Sequence, residues 1–254
     1  MNAGNAARVI ESGEPEAHFE SSEPLQQGAL IYSWKPASGY LAAAFQHAFS
    51  FRYQFLKRSI DIALSLFLLV ILFPLGVAIA LGVRISSPGP IFYCEERSGR
   101  FRVPFRILKF RSMFSTQPPS NVLNISTAQQ LHPAADRLRK KLHNARITPI
   151  GRVLRRTSMD ELPQLWNVLV GDMSLVGPRP IVEAERMLYS RDLPYYDLFR
   201  PGITGLWQVT GRSDVEYDRR VLCDREYASQ WSCLLDFVIL ARTIPAVISM
   251  RGAY

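Results

Sequence analysis

Cysteine and histidine are too scarce and too scattered in this sequence to suggest a metal centre. The 254 residues contain three cysteines, Cys94, Cys223 and Cys233, and four histidines, at positions 18, 47, 132 and 143. Neither set has the short, repeated spacing of zinc ligands, and an odd number of cysteines does not suit a disulfide framework. We therefore expect a reduced compartment and no zinc.

The sequence also lacks the glycine-rich loops of common nucleotide-binding enzymes. It contains no Walker A loop, no kinase loop and no G-x-G-x-x-G pattern, so ordinary nucleotide hydrolases and dehydrogenases have no support. The first twenty residues have no apolar core, and we expect no secretory signal peptide there. Residues 1–50 hold five acids and two bases among scattered Ser, Gly and Pro, which predicts a disordered acidic tail.

Positive charge is concentrated in the rest of the chain. Residues 51–254 carry 28 of the 30 Lys and Arg residues but 17 of the 22 acids. A basic, apolar domain indicates an anionic partner, such as a phosphate substrate, an acidic lipid or a nucleic acid. Charge alone fits a merely soluble basic surface as well.

Residues 62–83 form a charge-free run, IALSLFLLVILFPLGVAIALGV. As a straight helix it would span roughly 33 Å at about 1.5 Å per residue, enough for the core of a bilayer. Pro74 lies near its middle and predicts a kink. Bases flank both ends, and the positive-inside rule favours both ends in the cytoplasm, which a re-entrant hairpin satisfies and a single span does not. From the flanks and the proline alone, the two topologies stay equally open.

Beyond residue 86 the pattern predicts short elements. The stretch 86–90, SSPGP, breaks the helix, and residues 91–113 predict short extended or turn-linked pieces. We interpret 115–133 as a loop or insertion and 134–144 as a basic helix. The apolar run 233–250 is interrupted by Asp236 and Arg242, which favours an amphipathic helix on the bilayer surface or on the domain core.

Asp160 and Glu161 are adjacent acids within TSMDELPQLWNVLVGDM. Ser158 and Glu161 match the S-x-x-E capping box, and Pro163 is tolerated in a first helical turn, so the pair fits an ordinary helix start. The free N–H groups of a helix start would lower the pKa of Asp160.

Bases set beside prolines and glycines surround this acid pair. A rigid backbone aims a guanidinium group, which makes it a natural receptor for phosphate oxygens. These bases are Lys109, Arg111, Arg155, Arg156, Arg179, Arg200 and Arg212. Two carboxylates among them suggest either a Mg²⁺ site completed by phosphates, or one carboxylate that attacks phosphorus while the other holds the metal.

Five segments, in this order, resemble the bacterial sugar transferases: KRSIDIALS, SSPGPIFY, ILKFRSM, RRTSMDELPQLWNVLVGDMSLVGPRP and RPGITGLWQVTGR. These are the monotopic polyprenyl-phosphate phosphoglycosyl transferases that begin glycan assembly at the bacterial inner membrane. The resemblance covers residues 57–254 and leaves out the tail and the insertion around 115–135. It implies a mainly α fold with small irregular or β elements. The expected parts are a re-entrant membrane helix at 51–86 and a catalytic domain with interfacial amphipathic helices at 87–254, on the cytoplasmic face.

The resemblance also implies the chemistry. Such enzymes use Mg²⁺ and transfer a sugar 1-phosphate from a UDP-sugar to undecaprenyl phosphate, with release of UMP. The family nucleophile falls on Asp160 and the Mg²⁺-binding glutamate on Glu161. The substrate-binding candidates are Lys109 and Arg111 in the family's K-F-R motif, Arg155 and Arg179 on its phosphate- or nucleotide-linked arginines, and Arg200 and Arg212 beside rigid turns.

One feature departs from the general family pattern: Asn144-Ala145 stands where the family usually has an acid before its R-I/V-T segment. Asp224 falls on a recurrent acid of the family, to which we assign no role. The stretches DVEYDRRV and RGAY resemble exopolysaccharide-type members that use UDP-galactose or UDP-glucose, and we expect galactose ahead of glucose.

The expected partners are a UDP-sugar, undecaprenyl phosphate and inner-membrane lipid. We expect no nucleic acid, because the bases lie in Pro/Gly turns without a helix-turn-helix or a stacking platform. A homo-oligomer stays open. The alternative function is a non-catalytic membrane scaffold of a polysaccharide assembly complex, which would leave the intact acid pair without a purpose.

Overall fold

The computed structural model describes residues 37–114, 146–210 and 217–248. These residues belong to one compact unit, which is mainly helical and has two small sheets, as the sequence predicts. The predicted tail up to residue 36, the insertion at 115–133, the helix at 134–144 and Arg212 lie outside the described residues.

The helices carry most of the fold. In chain order they are α1 (Ala37–Phe49), α2 (Arg58–Ser86), α3 (Pro149–Thr157), α4 (Gln164–Val170), α5 (Arg186–Tyr189), α6 (Leu193–Leu198), α7 (Leu206–Thr210), α8 (Tyr217–Gln230) and α9 (Cys233–Ile248). A π-helical turn, Arg52–Lys57, leads directly into α2, and short 3₁₀ turns lie at Arg100–Arg102, Met159–Glu161, Glu183–Glu185 and Ser190–Asp192.

Two pairs of short strands complete the described residues. Strands β1 (Phe92–Ser98) and β2 (Pro104–Phe110) form an antiparallel hairpin, so the predicted extended pieces after residue 90 are confirmed. Strands β3 (Ser174–Val176) and β4 (Gly202–Thr204) pair in parallel.

Helix α1 corrects the predicted extent of the tail. The tail was expected to reach residue 50, but residues 37–49 form a helix whose Ala44 and Ala48 are fully buried in the main core. The small side chains let α1 pack closely against α8, and Tyr40 and Leu41 add to the contact. The residues that precede this helix are acidic, so composition assigned the helix to the tail and gave no sign of its apolar face.

The membrane-length helix is the most exposed apolar element of the described residues. Arg52–Ser86 is long and apolar enough to cross a bilayer, and only 11% of its most apolar window is buried in the protein. A core helix of a soluble protein would be mostly buried, so this exposure is consistent with membrane association. Pro74 lies inside α2, whose helical assignment runs unbroken from Arg58 to Ser86.

Both ends of α2 contact the same compact unit. Its buried residues are Asp61 and Ser65 near the start, and Ile79 and Val83 near the end. The intervening segment 66–78 is about 20 Å long as a helix, which is less than the roughly 30 Å of a bilayer core. A helix that crossed a bilayer would carry one of these ends away from the unit that both of them contact.

Helix α9 has two apolar faces with different surroundings. Ile239 is buried in the core, whereas Leu234, Phe237 and Ile244 are more than half exposed. One face of this helix contacts the domain core, and the other face is free to lie on a bilayer surface. The two predicted locations therefore do not exclude each other.

A buried charge pair fixes the base of the membrane helix to α9. Lys57 Nζ lies 2.7 Å from Asp236 Oδ2, and both side chains are nearly inaccessible to solvent. Asp236 also accepts hydrogen bonds from the Tyr227 hydroxyl at 2.9 Å and from Trp231 Nε1 at 3.2 Å. The Asp236 carboxylate thus accepts from all three donors. Removal of either Lys57 or Asp236 would leave the other charge buried without its ionic partner.

We therefore predict that Lys57→Met lowers the free energy of unfolding by about 3–5 kcal/mol, since it strands the Asp236 carboxylate in the core. Thermal unfolding of the detergent-solubilised protein measures the effect. Arg102→Met is the matched control, because Arg102 makes a longer, 3.5 Å ion pair with Asp197 and its side chain is 69% exposed. The control should cost about 1 kcal/mol or less. Equal losses from the two variants would contradict the prediction.

Candidate active site

The acid pair lies in a tight turn between two helices. Helix α3 ends at Thr157, Ser158 adopts a left-handed conformation with φ 57°, and Asp160 and Glu161 follow in a 3₁₀ turn before α4 begins at Gln164. Ser158 makes no side-chain capping bond; instead its carbonyl accepts the Glu161 N–H at 3.2 Å. The predicted capping box is therefore wrong, because the left-handed Ser158 ends the preceding helix rather than starting the next one.

Burial dominates the electrostatics of Asp160. The residue is only 9% exposed, and this burial, followed by the neighbouring charge of Glu161, raises the pKa of the Asp160 carboxyl above its ordinary value. Lys109 and Arg155 act in the opposite direction. The expectation of a lowered pKa is thus wrong, because desolvation and the adjacent acid outweigh the nearby cations.

Lys109 provides the direct counter-charge of the pair. Its Nζ lies 2.7 Å from Glu161 Oε1. The position of Lys109 on β2 is fixed by Asn167 of α4, whose Oδ1 accepts the Leu108 N–H at 2.9 Å and whose Nδ2 donates to the Arg106 carbonyl at 2.8 Å. One side-chain amide therefore joins the strand that carries the lysine to the helix that follows the acids.

A cleft opens beside the acid pair. It is lined by Arg97, Ile107, Lys109, Glu161, Gln164, Arg179, Pro180, Gly202, Ile203 and Gln208, so Glu161 faces it directly and Asp160 is the neighbouring residue. Three cations and one acid share this wall, so the cleft suits an anionic ligand.

Arg179 is fixed by the backbone, as its neighbouring prolines predict. The loop after β3 is held to β4 by two hydrogen bonds, from Gly177 N to the Thr204 carbonyl at 2.9 Å and from Gly202 N to the Pro178 carbonyl at 2.8 Å. A Cβ atom on Gly202 would lie 2.1 Å from Gly177 N, so only glycine permits this approach. The Arg179 guanidinium lies 5.5 Å from the centre of the Trp207 ring.

Arg155 approaches the site from α3. Its Nε donates to Ser112 Oγ at 2.8 Å, which orients the guanidinium. Burial lowers the pKa of Arg155, and the charge of Asp160 acts against this shift. Arg155 is thus a second cation that favours the ionised form of Asp160.

Two other predicted substrate-binding arginines hold backbone carbonyls. Arg111 is 5% exposed and donates to the carbonyls of Pro88 and Ser87, each at 2.7 Å, at the end of the membrane helix. Arg200 donates to the Gly171 carbonyl at 2.9 Å, at the end of α4. Neither lines the cleft.

Three cleft residues were missed by the sequence analysis. Arg97 was not singled out there, yet it lines the cleft and donates to the Pro180 carbonyl at 3.3 Å. Gln164 and Gln208 lie within two of the family-like segments, but they carry no charge, so composition and spacing assigned them no role.

Asp224 supports the loop of Arg179 from behind. It is 3% exposed and accepts a hydrogen bond from the Tyr189 hydroxyl at 2.7 Å. Burial raises the pKa of Asp224 to about 7, and the Tyr189 hydroxyl and the Arg179 backbone and guanidinium act against this shift. The recurrent acid is therefore placed beneath a cleft arginine rather than in the cleft.

The side chains beside the cleft are compatible with a magnesium ion that takes some of its ligands from a substrate. The described ranges contain no group of three or more His, Cys, Asp or Glu side chains that could hold a metal by themselves. Mg²⁺ is commonly bound by one or two carboxylates together with substrate phosphates, and Glu161 beside a cation-lined cleft fits that pattern. Such an ion would supply charge neutralisation at the phosphates.

An acid pair, a cleft with three cations and an exposed membrane-length helix together define a membrane-associated phosphoryl-transfer site. Residues 52–250 match the family of bacterial sugar transferases, and the chain belongs to this family.

Named relatives share this part of the chain. A UDP-galactose-lipid carrier transferase of Erwinia amylovora is 44% identical over 79% of this chain, which covers 42% of that protein. An exopolysaccharide production protein, ExoY, of Sinorhizobium fredii is 42% identical over 78% of this chain, which covers 88% of that protein. A UDP-glucose:undecaprenyl-phosphate glucose-1-phosphate transferase of Escherichia coli is 37% identical over 78% of this chain and 41% of its own length.

The raised pKa of Asp224 predicts a pH-dependent stability. Because the carboxyl has a pKa of about 7 when folded and 3.8 ordinarily, the folded protein binds the proton more tightly, and stability falls as pH rises from about 4 to about 7. Asp224→Asn removes this ionisation. We expect its melting temperature relative to the parent protein to increase between pH 5 and pH 8, measured by thermal unfolding in detergent. A difference independent of pH, or one that decreases, would contradict the assignment.

Proposed function

We propose that this protein transfers a hexose 1-phosphate from a UDP-sugar to undecaprenyl phosphate, releasing UMP, as the first step of exopolysaccharide or another surface glycan. One observation carries the proposal: Asp160 and Glu161 lie together beside a cleft lined by Lys109, Arg97 and Arg179. The names of the relatives, which specify galactose or glucose and undecaprenyl phosphate, support the choice of substrates.

The proposed reaction has two balanced steps. A carboxylate oxygen of Asp160 attacks the phosphorus that bears the sugar, and the bond from this phosphorus to UMP breaks, so UMP leaves with the electron pair. An oxygen of undecaprenyl phosphate then attacks the same phosphorus and breaks its bond to Asp160, which restores the carboxylate and forms the lipid diphosphate sugar. Two steps allow a soluble nucleotide sugar and a membrane lipid to use one site in turn.

The cleft cations take complementary roles in this scheme. Lys109 and Arg155 favour the ionised form of Asp160, which is the form that attacks. Arg97 and Arg179 face the cleft as receptors for phosphate oxygens. We assign Glu161 to Mg²⁺, whose charge would offset that of the phosphates. Arg111 and Arg200 position the chain through carbonyl bonds, and a substrate-binding role for Arg212 stays a prediction.

The sugar itself is proposed as galactose ahead of glucose. Two relatives named for galactose are each 44% identical to this chain, and relatives named for glucose are 37–38% identical. This ordering supports the preference that the C-terminal sequence suggests.

We propose that α2 is re-entrant and that the catalytic residues lie on the cytoplasmic face of the bacterial inner membrane. The attachment of both helix ends to one compact unit supports this topology over a single span. The bases that flank both ends favour the cytoplasmic side.

Asp160→Asn should abolish UMP release from UDP-galactose in the presence of undecaprenyl phosphate and Mg²⁺, because the amide cannot act as the attacking anion. Asp218→Asn, on the exposed side of α8, is the matched control and should keep the parent rate. Intact-protein mass spectrometry without the lipid should show the gain of one hexose phosphate in the parent protein only. Full activity of Asp160→Asn would refute the nucleophile, and no UMP from any UDP-hexose would favour the scaffold.

The topology is tested with single cysteines on either side of α2. Gln46→Cys lies on the exposed surface of α1, and the native Cys94 is exposed after α2. In a background with Cys223→Ser and Cys233→Ser, and with Cys94→Ser added to the Gln46→Cys protein, a membrane-impermeant maleimide applied to intact spheroplasts should label neither position, whereas lysis should make both reactive. A single span would expose one of the two positions before lysis and would refute the re-entrant helix.

A further inference from the structure

Two glutamine side chains bring unpaired polar atoms to the cleft. Gln164 is only 2% exposed, and its Nε2 has no hydrogen-bond partner within the described residues. Gln208 Oε1 is likewise buried and unpaired there, while its Nε2 donates to the Ile203 carbonyl at 3.1 Å. Both residues line the cleft. A buried polar atom without a partner costs free energy, which a ligand that supplies the missing hydrogen bond would recover.

The two amides have complementary hydrogen-bonding character. Gln164 offers a donor, and Gln208, held by its bond to Ile203, offers an acceptor. A hydroxyl group both accepts and donates, so one or more hydroxyls of a neutral ligand match this pair. Phosphate oxygens accept only, and the charged residues of the same cleft already provide for them.

Gln164 lies close to the reacting centre. It is the first residue of α4, three positions beyond Glu161, and the two side chains line the same cleft. In the proposed function, the phosphosugar is bonded to Asp160 after UMP has left. The sugar is therefore separated from the nucleophile by a single phosphorus, whereas the uridine is farther away and leaves after the first step.

We propose that Gln164 and Gln208 form the sugar subsite and hydrogen-bond hydroxyl groups of the hexose in the donor and in the covalent intermediate. The assignment rests on the proposed function and identifies the part of the cleft that recognises the sugar. The uracil base of the donor is the competing ligand for these two glutamines. Inhibition by UMP, which contains uridine but no hexose, distinguishes uracil binding from hexose binding.

The test compares Gln164→Leu and Gln208→Leu with Gln230→Leu, a glutamine at the end of α8 that does not line the cleft. We expect each cleft variant to lower kcat/KM for the UDP-hexose by about 10- to 100-fold, as expected when a polar site loses one hydrogen bond to its substrate. The inhibition constant of UMP should stay within about twofold of the parent value. Gln230→Leu should change neither quantity.

Thermal stability separates substrate binding from a structural role. Because Gln164 Nε2 is unpaired, Gln164→Leu should melt at the parent temperature or above it in the absence of ligand. The rise in melting temperature on adding UDP-hexose should decrease in the cleft variants, while the rise on adding UMP should be retained. This binding measurement does not depend on turnover.

Each contrary result has a distinct meaning. Unchanged kcat/KM in both cleft variants, or a UMP inhibition constant that rises together with the loss of kcat/KM, would overturn the sugar subsite. A lower melting temperature of Gln164→Leu without ligand would show a structural role and overturn it as well. A parent protein that binds UDP-hexose without releasing UMP would refute the proposed function, and the loss of that binding in the variants would still support the subsite. A parent protein that binds no UDP-hexose would overturn both.

Discussion

The burial of Asp160 beside a second carboxylate is the constraint on which the site depends. Burial and Glu161 both favour the neutral form of Asp160, and Lys109 and Arg155 oppose them. Neither cation is placed by the turn that carries the acids: Lys109 comes from a strand that Asn167 ties to α4, and Arg155 comes from α3. The charge state of Asp160 therefore depends on contacts with other elements, one of them the distant strand β2, rather than on a local helix start.

Helix α4 connects the acid pair to the membrane-length helix α2. Its first residue, Gln164, follows the acids, and its last carbonyls accept hydrogen bonds from Arg58 at the start of α2. Arg200 holds the next carbonyl, that of Gly171. Cationic side chains at this end also complement the helix dipole. The same short helix thus carries Gln164 of the cleft, follows the acid pair and contacts the start of the membrane-length helix.

The sequence predicted those features whose physical signal is local. The apolar helix, the strand pieces after it, and the meeting of Lys109 and Arg179 near the acids follow from composition, turns and spacing. A rigid setting does not distinguish an arginine that receives phosphate from one that caps carbonyls, so the sequence could not separate Arg179 from Arg200. The left-handed Ser158 and the pKa of Asp160 depend on tertiary burial, and unpaired amides such as that of Gln164 leave no trace in sequence pattern.

The attachment of both ends of α2 to the compact unit affects how the chain can be truncated. The side chains of Ser65 and Val83 are parts of the folded interior although they belong to the apolar segment, and Arg111 holds the carbonyls where that segment ends. Removal of the segment would therefore open part of that interior, so a truncation intended to give a soluble fragment would also change the packing of the folded unit.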